Sequence, residues 1–393
     1  MAKKIAVNLL LTSPKSVTGS FVYIKNILEA IFAIDRENQY ILIGSFVCLN
    51  FFKKKYSGLQ NVSYQAVDIR KDLIFNSLRA MSKLAAKFRH DFSAKEKIIK
   101  YEVQKVIDDE GIEIFFCPSS AIFPIGLKSI KIVTTVLDLQ HEYLPKNFSS
   151  NYLKRRENDC RNVVDYSDKI IAISNYTKQS LVEKYNANLD KIETIYLAPQ
   201  ASQKMMPSRL SLNLPDEYIF YPAAIWPHKN HKVIIEAVAL LKSKFPNLHL
   251  VFSGSIKNGK LKEELDALTI SCNLKDRVHF LGFVSDEYMP LIYERAKLFV
   301  YPSSFEGFGI PLVEAFNYGV PVIAAENTSI GEVVGTAGIL VETGNVGAFA
   351  DAIEKVLSDP DLGQDLIRRG YERAKDFSWT KAANKTLELF NSL

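Results

Sequence analysis

The chain reads as α/β, two doubly wound parallel sheets facing a central cleft, and three observations predict this. Its 393 residues exceed one ordinary core and suit two domains of ~150 to 200 residues each. Short apolar runs alternate with amphipathic stretches through both halves, as they do where parallel strands are covered by helices on both faces. Between the halves lies APQASQKMMPSRLSLNLPDEY, from Ala198 to Tyr218, rich in Ser, Pro and Gln and without sustained periodicity. That marks a linker. Residues 1–200 are therefore expected to form the first domain and 201–377 the second.

The elements follow in order. The opening MAKKIAVNLLLTSP holds an apolar run too short and too interrupted for a signal peptide or membrane span, so KIAVNLLL is expected to be a buried first strand. Strands are expected next at QYILIGS, IEIFFC, KIVTTVL and KIIAIS, with helices at stretches such as YIKNILEAIFAI and NYTKQSLVEKY. After the linker the alternation restarts. YIFYPAA, LHLVFSGS, VHFLGF, LFVYPS, VPVIAA and AGILVE read as strands, with HKVIIEAVALLKSKF and LVEAFNYG among the intervening helices. The tail FSWTKAANKTLELFNSL is an amphipathic helix. Ligands of open parallel sheets sit outside the carboxyl ends of strands, which directs attention to the loops there.

Composition narrows the function. With 47% apolar and 24% charged residues the chain is that of a globular protein, neither disordered nor repetitive. Cys48, Cys117, Cys160 and Cys272 lie far apart without a C-x-x-C pair, the usage of reduced thiols in a cytoplasmic protein. No zinc site is expected, because His228 and His231 have no third ligand nearby in sequence. Asp359-Pro360-Asp361 imitates a D-x-D metal motif but follows a helical stretch and reads as an Asp-Pro turn. Net charge is only +5, yet Arg70 to Lys100 holds nine basic residues against three acids. The rest is close to neutral, which argues against nucleic acid as partner and for one local anionic surface. Within this run Leu73, Ile74, Leu78, Met81, Leu84, Ala85 and Phe88 recur at helical spacing with Arg79, Lys83 and Lys87 interleaved. Such a helix can lie on an anionic membrane.

The most informative stretch is SSFEGFGIPLVEAFNYGVPVIA, Ser303 to Ala324. Glu306 falls in the loop after the strand LFVYPS, Pro311 suits a first helical turn, and Glu314 lies about one turn into that helix. Both carboxylates can then face one ligand beside a helix N-terminus whose free N–H groups favour negative charge. Gly307 and Gly309 let main-chain amides approach closely, and carboxylates accept hydrogen bonds from vicinal hydroxyls. A ligand carrying phosphates and hydroxyls together, a nucleotide sugar, fits this set.

These residues resemble a known family. The two glutamates within EGFGIPLVEA, the Lys-Asn pair in WPHKNH and the two-Rossmann layout are similar to the retaining GT-B glycosyltransferases of family GT4, most strongly over Ser303 to Val341. The resemblance implies that Glu306 binds the donor sugar and Glu314 the ribose. It also implies that amides around Gly307, Phe308, Gly309 and Ile310 hold hydroxyls and pyrophosphate, and that Lys229, helped by His228, neutralises the diphosphate. Gly19, in the loop after the first strand, and Phe283, in the second half, join the implied donor-binding set. The family also implies that the last helix, 378–393, packs back on the first, acceptor-side domain.

Two positions depart from the family pattern. Ala223 stands where many relatives have an arginine, and Leu137 where they often have a histidine. The DLQH run resembles a subgroup of mannosyl and rhamnosyl transferases, which makes Asp138 and His141 candidates for acceptor-side catalysis. The implied enzyme moves a hexose, with no metal or bound cofactor, from a nucleotide diphosphate sugar, GDP-mannose by subgroup likeness or else a UDP-sugar. Its implied acceptor is a glycan or lipid-linked oligosaccharide for surface polysaccharide, met by a cytoplasmic protein peripheral on the inner membrane face. Ala223 and Leu137 keep open an inactive nucleotide-sugar-binding homologue, and a soluble small-molecule acceptor is the other alternative.

Overall fold

A computed structural model of the protein describes residues 2–14, 19–67, 89–200 and 213–393. The amphipathic stretch Leu73 to Phe88 with most of the basic run, and linker residues 201–212, lie outside the described residues. The chain divides into two compact units. One gathers the residues up to Ile173, Thr177–Ile195 and Trp379–Leu393; the other holds Ser174–Tyr176 and Tyr196–Ser378.

In the first unit, strands β1 (Lys4–Leu9), β2 (Gln39–Gly44), β3 (Val62–Ala66), β4 (Ile114–Cys117), β5 (Lys131–Val136), β6 (Lys169–Ala172) and β7 (Ile192–Thr194) form one sheet in the order β3-β2-β1-β4-β5-β6-β7. Every pairing is parallel, with Lys4 opposite Gln39 and Ile114 opposite Lys131. Strands buried on both faces favour side chains without polar demands, and most buried positions of β1, β2, β4 and β5 carry Ile, Val, Leu or Phe, with Asn8, Thr134 and Thr135 as buried polar exceptions. The edge strand β3 reads VSYQA and is half exposed. Its weak hydrophobic run gives no sequence signal, and neither does that of the other edge strand, the three-residue β7.

The tail helix Trp379–Asn391 lies along the helix Gly19–Ile34. Its Phe390 is fully buried, with its ring centroid 5.2 Å from that of Phe116, and Trp379 approaches Tyr23 at 6.2 Å. Burying a Phe side chain contributes roughly 1.5 to 3 kcal/mol, so this terminus is part of the core of the first unit.

The second unit repeats the architecture with β8 (Tyr218–Pro222), β9 (His249–Ser253), β10 (Val278–Phe280), β11 (Leu298–Tyr301), β12 (Val322–Ala325) and β13 (Ile339–Val341), again all parallel, in the order β10-β9-β8-β11-β12-β13. All six strands coincide with apolar runs of the sequence. Helix starts are fixed locally: Asn258, Asn345 and Asp359 each accept a hydrogen bond from the main-chain N–H three residues on. Each such cap is worth about 1 kcal/mol. Asp359 of the Asp-Pro-Asp run is thus the cap of the helix Pro360–Ala374. Among the described residues no helix is long and apolar enough to cross a membrane.

Candidate donor site at the carboxyl edge of the second sheet

The strand order reverses between β8 and β11, which are hydrogen-bonded neighbours with Phe299 opposite Phe220. Loops diverge there, and a doubly wound sheet binds its ligand at such a point. The loop after β8 carries Lys229 and the loop after β11 carries Glu306. The two loops are cross-linked: Ser304 N–H donates to the His228 carbonyl at 2.7 Å, and the Asn230 side-chain Nδ2 donates to the Pro302 carbonyl at 3.1 Å. Tyr221 Oη, rooted on β8, donates to the Lys229 carbonyl at 2.8 Å. Asn230 adopts the left-handed conformation, φ 51°, and opens the helix His231–Leu241. Asn tolerates that geometry better than other residues with side chains.

With both loops pinned, Lys229 Nζ forms an ion pair with Glu306 Oε1. Only 16% of the lysine side chain and 14% of the glutamate side chain remain accessible. Burial pushes the Glu306 pKa up, but the Lys229 charge, hydrogen bonds from Lys229 and Ser303, and His228 more than offset this and hold the carboxyl below the usual range. It is therefore ionised at neutral pH. The lysine ammonium also lies 5.8 Å from the Tyr301 ring centroid. The Glu306 main chain is fixed as well: its N–H donates to Thr328 Oγ1 at 3.2 Å, and Ser329 Oγ donates to its carbonyl at 2.9 Å. Ser329 Oγ also bonds the carbonyl of Phe308 at 3.1 Å.

Gly309, φ 100°, turns the chain into the helix Ile310–Asn317. A Cβ there would stand 2.9 Å from Leu312 Cδ1, so the turn needs glycine. Pro311 occupies the first turn. Glu314 follows on the same helix and accepts a 2.7 Å hydrogen bond on Oε2 from Tyr293 Oη. Here burial dominates, aided by Asp286 and only partly countered by Tyr293, and the carboxyl pKa lies above the usual range.

The remaining sequence candidates are placed as follows. Ala223 ends at 9% exposure, its carbonyl accepting from His231 Nε2 at 3.3 Å. Burial pushes the His231 pKa down to about 4, so this buried ring is neutral. A Cβ on Gly254, φ 138°, would fall 2.4 Å from the same carbonyl oxygen. Phe283 is 73% exposed beyond β10. In the first unit Gly19 is the first residue of its helix. Leu137 N–H donates to Ser120 Oγ at 2.9 Å. Asp138 accepts from Gln140 N–H at 3.0 Å on Oδ1, while Arg156 donates to its carbonyl at 3.1 Å. His141 is 4% exposed, with Nε2 3.1 Å from Tyr185 Oη, 3.4 Å from Glu142 and 3.9 Å from Cys160 Sγ. Burial and Arg156 push its pKa down.

Sequence reasoning did not find Tyr293, Tyr221, Thr328 or Ser329, which hold the site together. The last two stand in NTSIGE, just ahead of the matching stretch IGEVVG, while the tyrosines are ordinary core aromatics in a strand and a helix.

Residues 203–373 match the family described as Glycosyl transferases group 1. The chain is 29% identical over 274 residues to the O-antigen chain mannosyltransferase B of Escherichia coli, covering 67% of this chain and 71% of that one. It is 26% identical over 294 residues to the serotype-specific mannosyltransferase WbdA of Escherichia coli, a longer protein of which it spans 36%. Among solved structures, a glycosyltransferase from Rickettsia africae superposes with a TM-score of 0.71 at 17% identity, covering 100% of this chain and 98% of that one. Anabaena HepE in complex with UDP does so with 0.71 at 16% identity, covering 100% of both chains. The matched family segment contains Lys229, Glu306 and Glu314, and the two doubly wound units share the fold of these solved glycosyltransferases.

Proposed function

We propose that this chain transfers a hexose, mannose by its likeness to O-antigen mannosyltransferases, from a nucleotide diphosphate sugar to a glycan or lipid-linked acceptor in surface polysaccharide assembly. The observation that carries this reading is the Lys229–Glu306 ion pair at the strand-order reversal, with Glu314 on the adjoining helix. An incoming diphosphate competes with Glu306 for the lysine ammonium, leaving the Glu306 carboxylate to accept hydrogen bonds from sugar hydroxyls. The amides of Phe308, Gly309 and Ile310 add positive potential at the helix start. Preorganised donors of this kind are worth ~3 to 4 kcal/mol each. The C1–O bond to the diphosphate breaks, the acceptor oxygen bonds C1 on the same face, and its proton passes to a departing phosphate oxygen. Lys229 stabilises the charge that develops on the leaving group. The donor is GDP-mannose on this reading, with a UDP-sugar as the competing choice.

Thermal shifts with GDP-mannose, UDP-glucose and other nucleotide sugars would identify the donor. Calorimetry with the free diphosphate tests the division of labour. Glu314→Ala is expected to weaken nucleotide binding roughly tenfold to a hundredfold, the worth of a charged hydrogen bond, while Glu306→Ala changes it only a few-fold and cuts turnover. Equal nucleotide affinities in both variants and wild type would overturn the ribose role.

The basic amphipathic stretch Leu73 to Phe88 supports a membrane-borne acceptor. Each basic residue near an anionic surface contributes ~1 kcal/mol, so Arg79, Lys83 and Lys87 suffice for reversible, salt-sensitive binding. Sedimentation with phosphatidylglycerol-containing and neutral vesicles at low and high salt checks this. Indifference to lipid charge, or unchanged binding after glutamine replacement of these three residues, would favour a soluble acceptor.

A further inference from the structure

Tyr293 lies on the short helix Met289–Arg295 at 1% exposure. Its ring stacks on Tyr318, centroids 5.1 Å apart at 12°, and meets Phe220 edge-on at 5.0 Å and 86°. A phenylalanine would satisfy that aromatic packing equally well. The hydroxyl is unexplained by the core and is spent on one contact, the 2.7 Å hydrogen bond to Glu314 Oε2. Burial, with the Glu314 charge, pushes the Tyr293 pKa well above its ordinary value, which keeps this hydroxyl a donor. Among the described residues no other side chain hydrogen-bonds the Glu314 carboxylate, and Oε1 has no protein partner. A glutamate carrying three free torsions is thereby reduced to one orientation, with one oxygen fixed and the other available.

We infer that Tyr293 is a positioning residue for Glu314: by fixing Oε2 it presents Oε1 to the ribose hydroxyls, and so sets how strongly the enzyme prefers ribonucleotides to 2′-deoxyribonucleotides. The inference rests on the reading of Glu314 as the ribose ligand. A carboxylate held this way accepts from both hydroxyls of a vicinal diol, and a deoxyribose leaves it one partner short inside a largely water-excluded site.

The test measures GDP and dGDP, and UDP and dUDP, against wild type, Tyr293→Phe and Glu314→Ala by calorimetry between pH 5 and 8. Tyr293→Phe keeps the ring stack, and a melting curve verifies its fold. The ribo-to-deoxy affinity ratio is expected to collapse in Glu314→Ala and to fall about three- to tenfold in Tyr293→Phe, less than the loss of a direct charged hydrogen bond. Tyr293→Phe is also expected to lose nucleotide affinity at higher pH than wild type, because the missing hydroxyl no longer favours the ionised carboxyl. Purely structural packing would move neither readout. A folded Tyr293→Phe protein with the wild-type ratio and acid limb, beside a Glu314→Ala protein that has lost the ratio, overturns the role of Tyr293 and leaves the ribose reading intact. A wild-type ratio in Glu314→Ala as well overturns both.

Discussion

Glu306 and Glu314 stand eight positions apart in one loop-and-helix unit and occupy opposite electrostatic regimes. Glu306 faces a lysine, and its carboxyl is held below the usual pKa range; Glu314 faces a tyrosine, and burial holds its carboxyl above that range. The partner rather than the residue type decides the charge state. A cation compensates a desolvated carboxylate through space as well as through a hydrogen bond, whereas a hydroxyl supplies the hydrogen bond alone. One carboxyl is therefore held towards its ionised form, and the other is pushed towards its protonated form.

The most severe test of this contrast removes the cation. Lys229→Ala is expected to lower turnover by orders of magnitude, since it strips the leaving group of its main charge, and activity in EDTA should match that without it. The same change leaves Glu306 uncompensated and should cost about 3 kcal/mol of stability, the lower end for breaking a buried pair because part of both side chains stays accessible. Denaturant unfolding of Lys229→Ala, Glu306→Ala and the double variant checks this. A double variant destabilised by the sum of the two single effects would show that the two charges are not coupled.

Glutamine at each site gives a smaller effect of opposite sign. Glu306→Gln should destabilise the fold by strandging the Lys229 ammonium, whereas Glu314→Gln should raise the melting temperature by relieving a desolvated charge, a gain on the order of 0.5 to 1 kcal/mol. Two melting curves decide the matter. Shifts in the same direction would end the contrast drawn here.

Acid gives the mildest expected effect. A carboxyl whose folded pKa is lowered, like Glu306, contributes stability above its unfolded pKa and loses it as pH falls through the folded value; one whose folded pKa is raised, like Glu314, opposes folding when ionised and ceases to do so on protonation. On mild acidification, still above the ordinary glutamate range, nucleotide affinity should therefore weaken a few-fold while the fold is unharmed. Parallel titrations of affinity and melting temperature would reveal whether both fall together, which would contradict this order.

The alternation of apolar runs announced both sheets because central parallel strands are buried on two faces and must be apolar throughout. It missed β3, where Ser63 and Gln65 break the run, and β7, whose IET is too short to register. The same physics governs the site. Glu306 and Glu314 stood out because carboxylates beside glycines, a strand end and a proline-started helix are informative in themselves, whereas Lys229, in WPHKNH, was singled out only by the family resemblance. Tyr293 was not, since a tyrosine among core aromatics looks the same whether or not its hydroxyl has a task. His141 was named from the likeness of DLQH to a transferase subgroup; the burial of its ring against Tyr185 and Cys160 depends on residues distant in sequence and gave no signal.

The adjacency of β8 and β11 bears on how far such a sequence can drift. Neighbouring strands stand about 4.8 Å apart whatever their side chains, because main-chain hydrogen bonds set that spacing. The separation of the loops bearing Lys229 and Glu306 is thus a property of the backbone ladder, insulated from substitutions elsewhere in the core. Helices, rim loops and edge strands can exchange most of their residues without moving those two roots. The fold shared at a TM-score of 0.71 with a structure only 17% identical is what such insulation permits.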